Sequence, residues 1–134
     1  MLAYIVAYVV SALAFLAADA TWLTLAGPRL YRPVLGPLLA DKVNAGAAVV
    51  FYLLYLAGVL FLAVTPALRS GQWRTAALNG LVLGLVAYGT YDLTNQATLR
   101  LWSTRLTLAD MAWGGAITAL AATVGFLAAR KAGG

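Results

Sequence analysis

The chain reads as four long apolar stretches, residues 2–26, 43–64, 75–99 and 108–129, separated by short segments that carry breakers and charge. Each stretch is long enough to cross a hydrocarbon core of ~30 Å, which takes about 20 predominantly apolar residues in a helix. The intervening segments are G-P-R-L-Y-R-P-V-L-G-P-L-L-A-D-K with its three prolines, T-P-A-L-R-S-G-Q-W-R, and R-L-W-S-T-R-L-T. Short connections make sequence neighbours antiparallel neighbours. The pattern therefore predicts an all-α integral membrane protein: a single domain over 1–134 with four transmembrane helices in an up-down bundle.

Composition agrees. Apolar residues make up 63% and charged residues 10% of the chain, against about 45–50% and 25% in soluble globular domains. Cysteine and histidine are both absent, which removes thiol catalysis, disulfides, His-ligated haem and His-based proton relays. No cofactor and no metal are expected, and the chemistry available is that of Asp, Asn, Tyr, Trp, Ser, Thr and Arg. The first stretch has no Lys or Arg before it and exceeds a usual signal-peptide core, so it is expected to be a retained helix.

Trp73 and Trp102 lie beside Arg74 and Arg100 in the connections, where interfacial anchors are expected. The basic residues divide five (Arg29, Arg32, Lys42, Arg100, Arg105) against four (Arg69, Arg74, Arg130, Lys131) between the two faces, which leans toward both termini outside the cytoplasm. Nothing interleaves charge and aromatics as a nucleic-acid surface does, so the lipid bilayer is the expected partner and nucleic acid is not.

The acids carry more information. Glutamate is absent, and of four acidic residues only Asp41 lies in a connection, while Asp19, Asp92 and Asp110 fall inside predicted spans. An aspartate at helix centre costs roughly 2.5–3.5 kcal/mol on insertion scales, so three of them require a reason. Alternating helix direction places all three in one leaflet, below the first and third connections. Spacing aligns them with the helix faces: Tyr4, Tyr8, Ser11, Phe15, Asp19 and Trp22 on the first helix, and Gly80, Gly84, Tyr88, Asp92 and Asn95 on the third. The fourth helix repeats the arrangement with Asp110, Gly114, Thr118 and Gly125. The two G-x-x-x-G glycines of the third helix permit close helix approach on the face that bears the acid. Asp19, Trp22, Tyr88, Asp92, Asn95, Asp110 and Trp113 are thus expected to line one interior site.

Plainer roles compete. Thr107-Leu-Ala-Asp110 fits a capping box, Asp19 has Arg29 or Arg105 as a candidate structural partner, and Tyr4 suits an interfacial aromatic belt, as do Tyr52 and Tyr55, which the second helix can otherwise turn toward the shared interior. The paired D-x-x-W segments (Asp19/Trp22 and Asp110/Trp113) also suggest a remnant internal repeat.

D-A-T-W (Asp19 to Trp22), Y-D-L-T-N-Q-A-T-L (Tyr91 to Leu99) and D-M-A-W-G (Asp110 to Gly114) together resemble a family of small bacterial membrane proteins known only as a domain of unknown function. The resemblance implies a four-helix inner-membrane protein in which these motif residues matter, and an association with membrane-lipid modification.

Two functional classes follow. In the first, the acidic and aromatic pocket binds or transports a cation, a proton or a cationic, lipid-like amphiphile, a reading compatible with a homodimer. In the second, the chain is a membrane-embedded enzyme, or an accessory subunit of one, acting on a membrane lipid or isoprenoid. A purely structural assembly subunit with G-x-x-x-G as its contact face is a third possibility.

Overall fold

The computed structural model describes residues 1–133 and is all-helical over them. Four long helices follow one another: α1 (Leu2–Leu38), α2 (Ala45–Ser70), α3 (Trp73–Thr98) and α4 (Thr104–Gly133). Three of them, α1, α2 and α4, are long and apolar enough to cross a membrane. α3 falls below that hydropathy: it opens on Trp73-Arg74-Thr75, carries Asn79 and ends on the polar Y-D-L-T-N-Q-A-T.

The first and second helices run further than the breaker pattern predicts. G-P-R-L-Y and R-P-V-L do not end α1; the helix widens to a π-turn over Gly27–Tyr31 and continues through a last 3₁₀ turn. Pro28, Pro33 and Pro37 each fall at a joint between α, π and 3₁₀ segments of this continuous helix, where the i→i−4 ladder changes register. α2 likewise passes through a π-turn at Leu60–Val64 and keeps T-P-A-L-R-S helical. Pro66 cannot donate to the Leu62 carbonyl four residues back, and the Asn79 side-chain amide of α3 donates to it instead at 3.1 Å.

The helix ends are set locally. Asn44 caps α2 through a 3.1 Å bond from the Ala47 N–H. Gly71 turns α2 into α3 at φ 72°, a left-handed conformation that favours glycine. Ser103 caps α4, its Oγ accepting from the Leu106 N–H at 3.1 Å. That overturns the capping-box reading: with the helix beginning at Thr104, Asp110 lies beyond the first turn and Thr107 is buried.

α4 is the central helix, with α1 and α3 antiparallel along two of its faces and α2 closing the remaining side. Glycines hold the α3–α4 seam. A Cβ on Gly84 would collide with the Gly114 carbonyl, and one on Gly80 would stand 2.8 Å from the Thr118 carbonyl oxygen. On the α1 side, a Cβ on Gly125 would meet the Ser11 hydroxyl, which donates to the Ala121 carbonyl at 2.8 Å. The exterior is apolar, with Ile5, Leu13, Leu54, Phe61, Val86 and Leu108 exposed. The interior holds Ser11, Asp19, Asp92, Thr107, Asp110 and Thr118.

Gly84→Leu should therefore force the two backbones apart and lower stability by about 3 kcal/mol, the upper part of the range for overpacking. Gly58→Ala, with open space around the added methyl, should be neutral or slightly stabilising. Thermal unfolding in detergent reads both.

Candidate functional site

The helix directions bring the three buried acids to one end of the bundle. Asp19, Asp92 and Asp110 are all buried, and Asp92 is 0% exposed. Each is held differently.

Asp19 accepts from the Tyr52 hydroxyl of α2 at 2.7 Å and, at 3.4 Å, from the Trp113 indole of α4. These neutral donors occupy the place that a structural arginine would take. Arg29 and Arg105 instead line a separate cleft of about 290 Å³ on the far side of Trp22. Tyr52 is thus more than a belt residue, and so is Tyr55, whose buried hydroxyl shares a 2.8 Å hydrogen bond with Thr118. Tyr4 is exposed, as a belt residue would be.

Asp110 accepts from the Tyr31 hydroxyl, and Tyr31 in turn accepts from the Trp22 indole at 2.8 Å. Tyr31 reaches inward because the π-turn at Gly27–Tyr31 carries it back toward the core in a segment that reads from sequence as a loop. The two D-x-x-W segments are consequently cross-wired. Trp113 of one motif donates to Asp19 of the other, while Trp22 reaches Asp110 through Tyr31. The two indoles lie face to face, with centroids 4.7 Å apart and planes 6° apart.

Asp92 faces α4 opposite Asp110: Tyr88, one turn before Asp92, covers Gly114, one turn after Asp110 on the antiparallel helix. No donor among the described residues reaches either of its oxygens. Asn95 is half-buried one turn further on and does not line the cleft described below. Tyr91 is 53% exposed and packs edge-on against Trp102 at 5.8 Å. Trp102 is itself half-buried and donates to Thr107 at 2.8 Å, so it ties a connection to α4.

Above these acids lies a cleft of about 330 Å³ lined by Asp19, Leu23, Tyr31, Phe51, Ala87, Tyr88, Tyr91 and Asp110. All four helices contribute to it. The lining combines two carboxyl groups with four aromatic rings and contains no basic residue. All nine Lys and Arg side chains of the protein are exposed. Of the sequence-predicted residues, Asp19, Tyr88 and Asp110 line the cleft, Trp22, Trp113 and Asp92 support it from behind, and Asn95 stands apart. Phe51, Tyr31 and Tyr91 are lining residues that spacing arguments did not select.

Tyr31→Phe removes the donor to Asp110 and should cost about 1–3 kcal/mol. Combined with Asp110→Asn, the loss should fall short of the sum of the single losses, because the two groups share one interaction. A double-mutant cycle on unfolding midpoints checks this.

Comparison with curated proteins and with solved structures returns no match. A family model does match, over residues 4–127, and its description is of a predicted membrane protein. The match spans all four helices and every motif at the site, and the chain belongs to this family, DUF2177.

Proposed function

We propose that the protein is a four-span membrane bundle of the bacterial inner membrane whose interior cleft binds a cationic amphiphile and passes it between the bilayer and one membrane face. Support for the fourth span comes from packing. α3 has 26 residues, ~39 Å of helix at 1.5 Å per residue, and lies antiparallel against a membrane-capable α4, its Gly80 and Gly84 on the α4 backbone and its Leu81, Leu85 and Tyr88 side chains on Gly114 and Gly115.

The observation that carries the binding reading is acid without base. Three buried aspartates share the interior with no buried cation, and two of them line an aromatic cleft. Negative charge in a low-dielectric site attracts a cation strongly, and ring faces add roughly 0.5–2 kcal/mol through cation–π attraction. The cleft volume falls at the low end of the ~300–1,000 Å³ typical of ligand sites, enough for an ammonium head. Leu23, Phe51 and Tyr91 at the rim are each exposed on the lateral surface, which leaves room for an acyl tail to remain in lipid.

Dodecyltrimethylammonium, titrated below its micellar concentration into protein in nanodiscs with empty nanodiscs as the blank, tests this reading. Binding should quench the fluorescence of the Trp22/Trp113 pair, and Asp19→Asn should weaken it at least about tenfold, equivalent to about 1.4 kcal/mol. Equal affinity for neutral dodecanol, or unchanged affinity in both Asp19→Asn and Asp110→Asn, would sink the proposal.

A further inference from the structure

We propose that Asp92 and Asp110 form a proton store behind the cleft, and that a cation entering the cleft drives one proton out of it. This deepens the cation-binding reading and rests on it. The observation behind it is Asp92, which is fully buried and has both carboxyl oxygens without a donor. A buried polar group in that condition is costly, and an ionised one far more so.

The group that can relieve it is the Asp110 carboxyl, which the α3–α4 seam sets opposite it, one turn beyond the contact of Tyr88 with Gly114. Two ionised carboxylates in that position repel, whereas one proton between them gives an O–H donor to the opposite oxygen and removes half the charge. The other titratable groups facing the pair are Tyr31 of α1 and Tyr88 and Tyr91 of α3; Asp19 of α1 shares the cleft with Asp110 and is itself held by Tyr52 of α2. None is a cation. The charge of the pair is therefore balanced by a proton or by something that enters.

Entry is asymmetric. Asp110 lines the cleft and Asp92 does not, so a cation in the cleft acts on the pair through Asp110. With a positive charge beside it, Asp110 no longer needs the shared proton. The O–H bond of the pair breaks, its electrons stay on the carboxylate, and the proton passes through the cleft to water. One cation enters and one proton leaves, so the site's net charge is unchanged. Linkage makes the effect reciprocal: the affinity for the cation rises with pH, by at most about tenfold per pH unit for one proton exchanged.

Calorimetric titration of the nanodisc protein with dodecyltrimethylammonium, repeated in buffers of different ionisation enthalpy, counts the protons released. The wild type should release up to about one proton per cation bound, and Asp92→Asn should bind the cation while releasing none. Binding without release in the wild type, or equal release in Asp92→Asn, overturns the proton store and leaves the cation site standing. A probe that fails to bind at all overturns the cation site. The store is then judged by infrared spectroscopy of the unliganded protein: a protonated-carboxyl band absent from Asp92→Asn supports the pair, and a spectrum identical in the two proteins overturns it.

Discussion

The constraint on which the structure depends is the close approach of α3 and α4 at Gly84 and Gly114. Helices in a bilayer gain little from hiding apolar surface from one another, because lipid is equally apolar. Contact must come from van der Waals packing and from hydrogen bonds that lipid cannot supply. The small-residue row Gly80, Gly84, Gly114 and Thr118 allows backbone-to-backbone contact, and two turns along from it the same geometry presses Asp92 toward Asp110. Ser11 and Gly125 do for α1 and α4 what the glycines do for α3 and α4. The seam and the acidic site are thus one arrangement of the same helices.

Acids and large aliphatic side chains are placed inside out relative to a soluble protein. The bases are all exposed and three of the four acids are buried, while large aliphatic side chains face outward where acyl chains would contact them. The buried acids are supported by neutral donors: the Tyr52 hydroxyl and Trp113 indole at Asp19, and the Tyr31 hydroxyl at Asp110. Such donors fix the position of a carboxyl without cancelling its charge. An arginine in their place would have closed the site electrostatically.

Much of this was legible in the residue pattern. Spacing alone put Phe15 and Asp19 on one face of α1, and Gly84, Tyr88 and Asp92 on one face of α3, because an uninterrupted α-helix keeps its 3.6-residue period. It failed where that period breaks. The π-turn at Gly27–Tyr31 shifts the register of α1, so Tyr31 lay in what read as a proline-rich loop. Helix starts were equally elusive, since Ser103 and Thr107 both offer a capping side chain and only the packing of Trp102 on Thr107 decides between them. Phe51 was hidden for another reason: α2 is apolar nearly all round, so composition could not say which face turns inward.

The most direct test of the central claim is whether positions 92 and 110 touch. The chain contains no cysteine, so a D92C/D110C variant holds two thiols and no others. Mild oxidation in native membranes should join them, and tryptic cleavage at Arg100 or Arg105 between the two positions should leave fragments that separate only on reduction. T94C/D110C, with its first position on the exposed side of α3, should not link. Failure of D92C/D110C to link, or equal linking of the two variants, would contradict the seam and the carboxyl pair together.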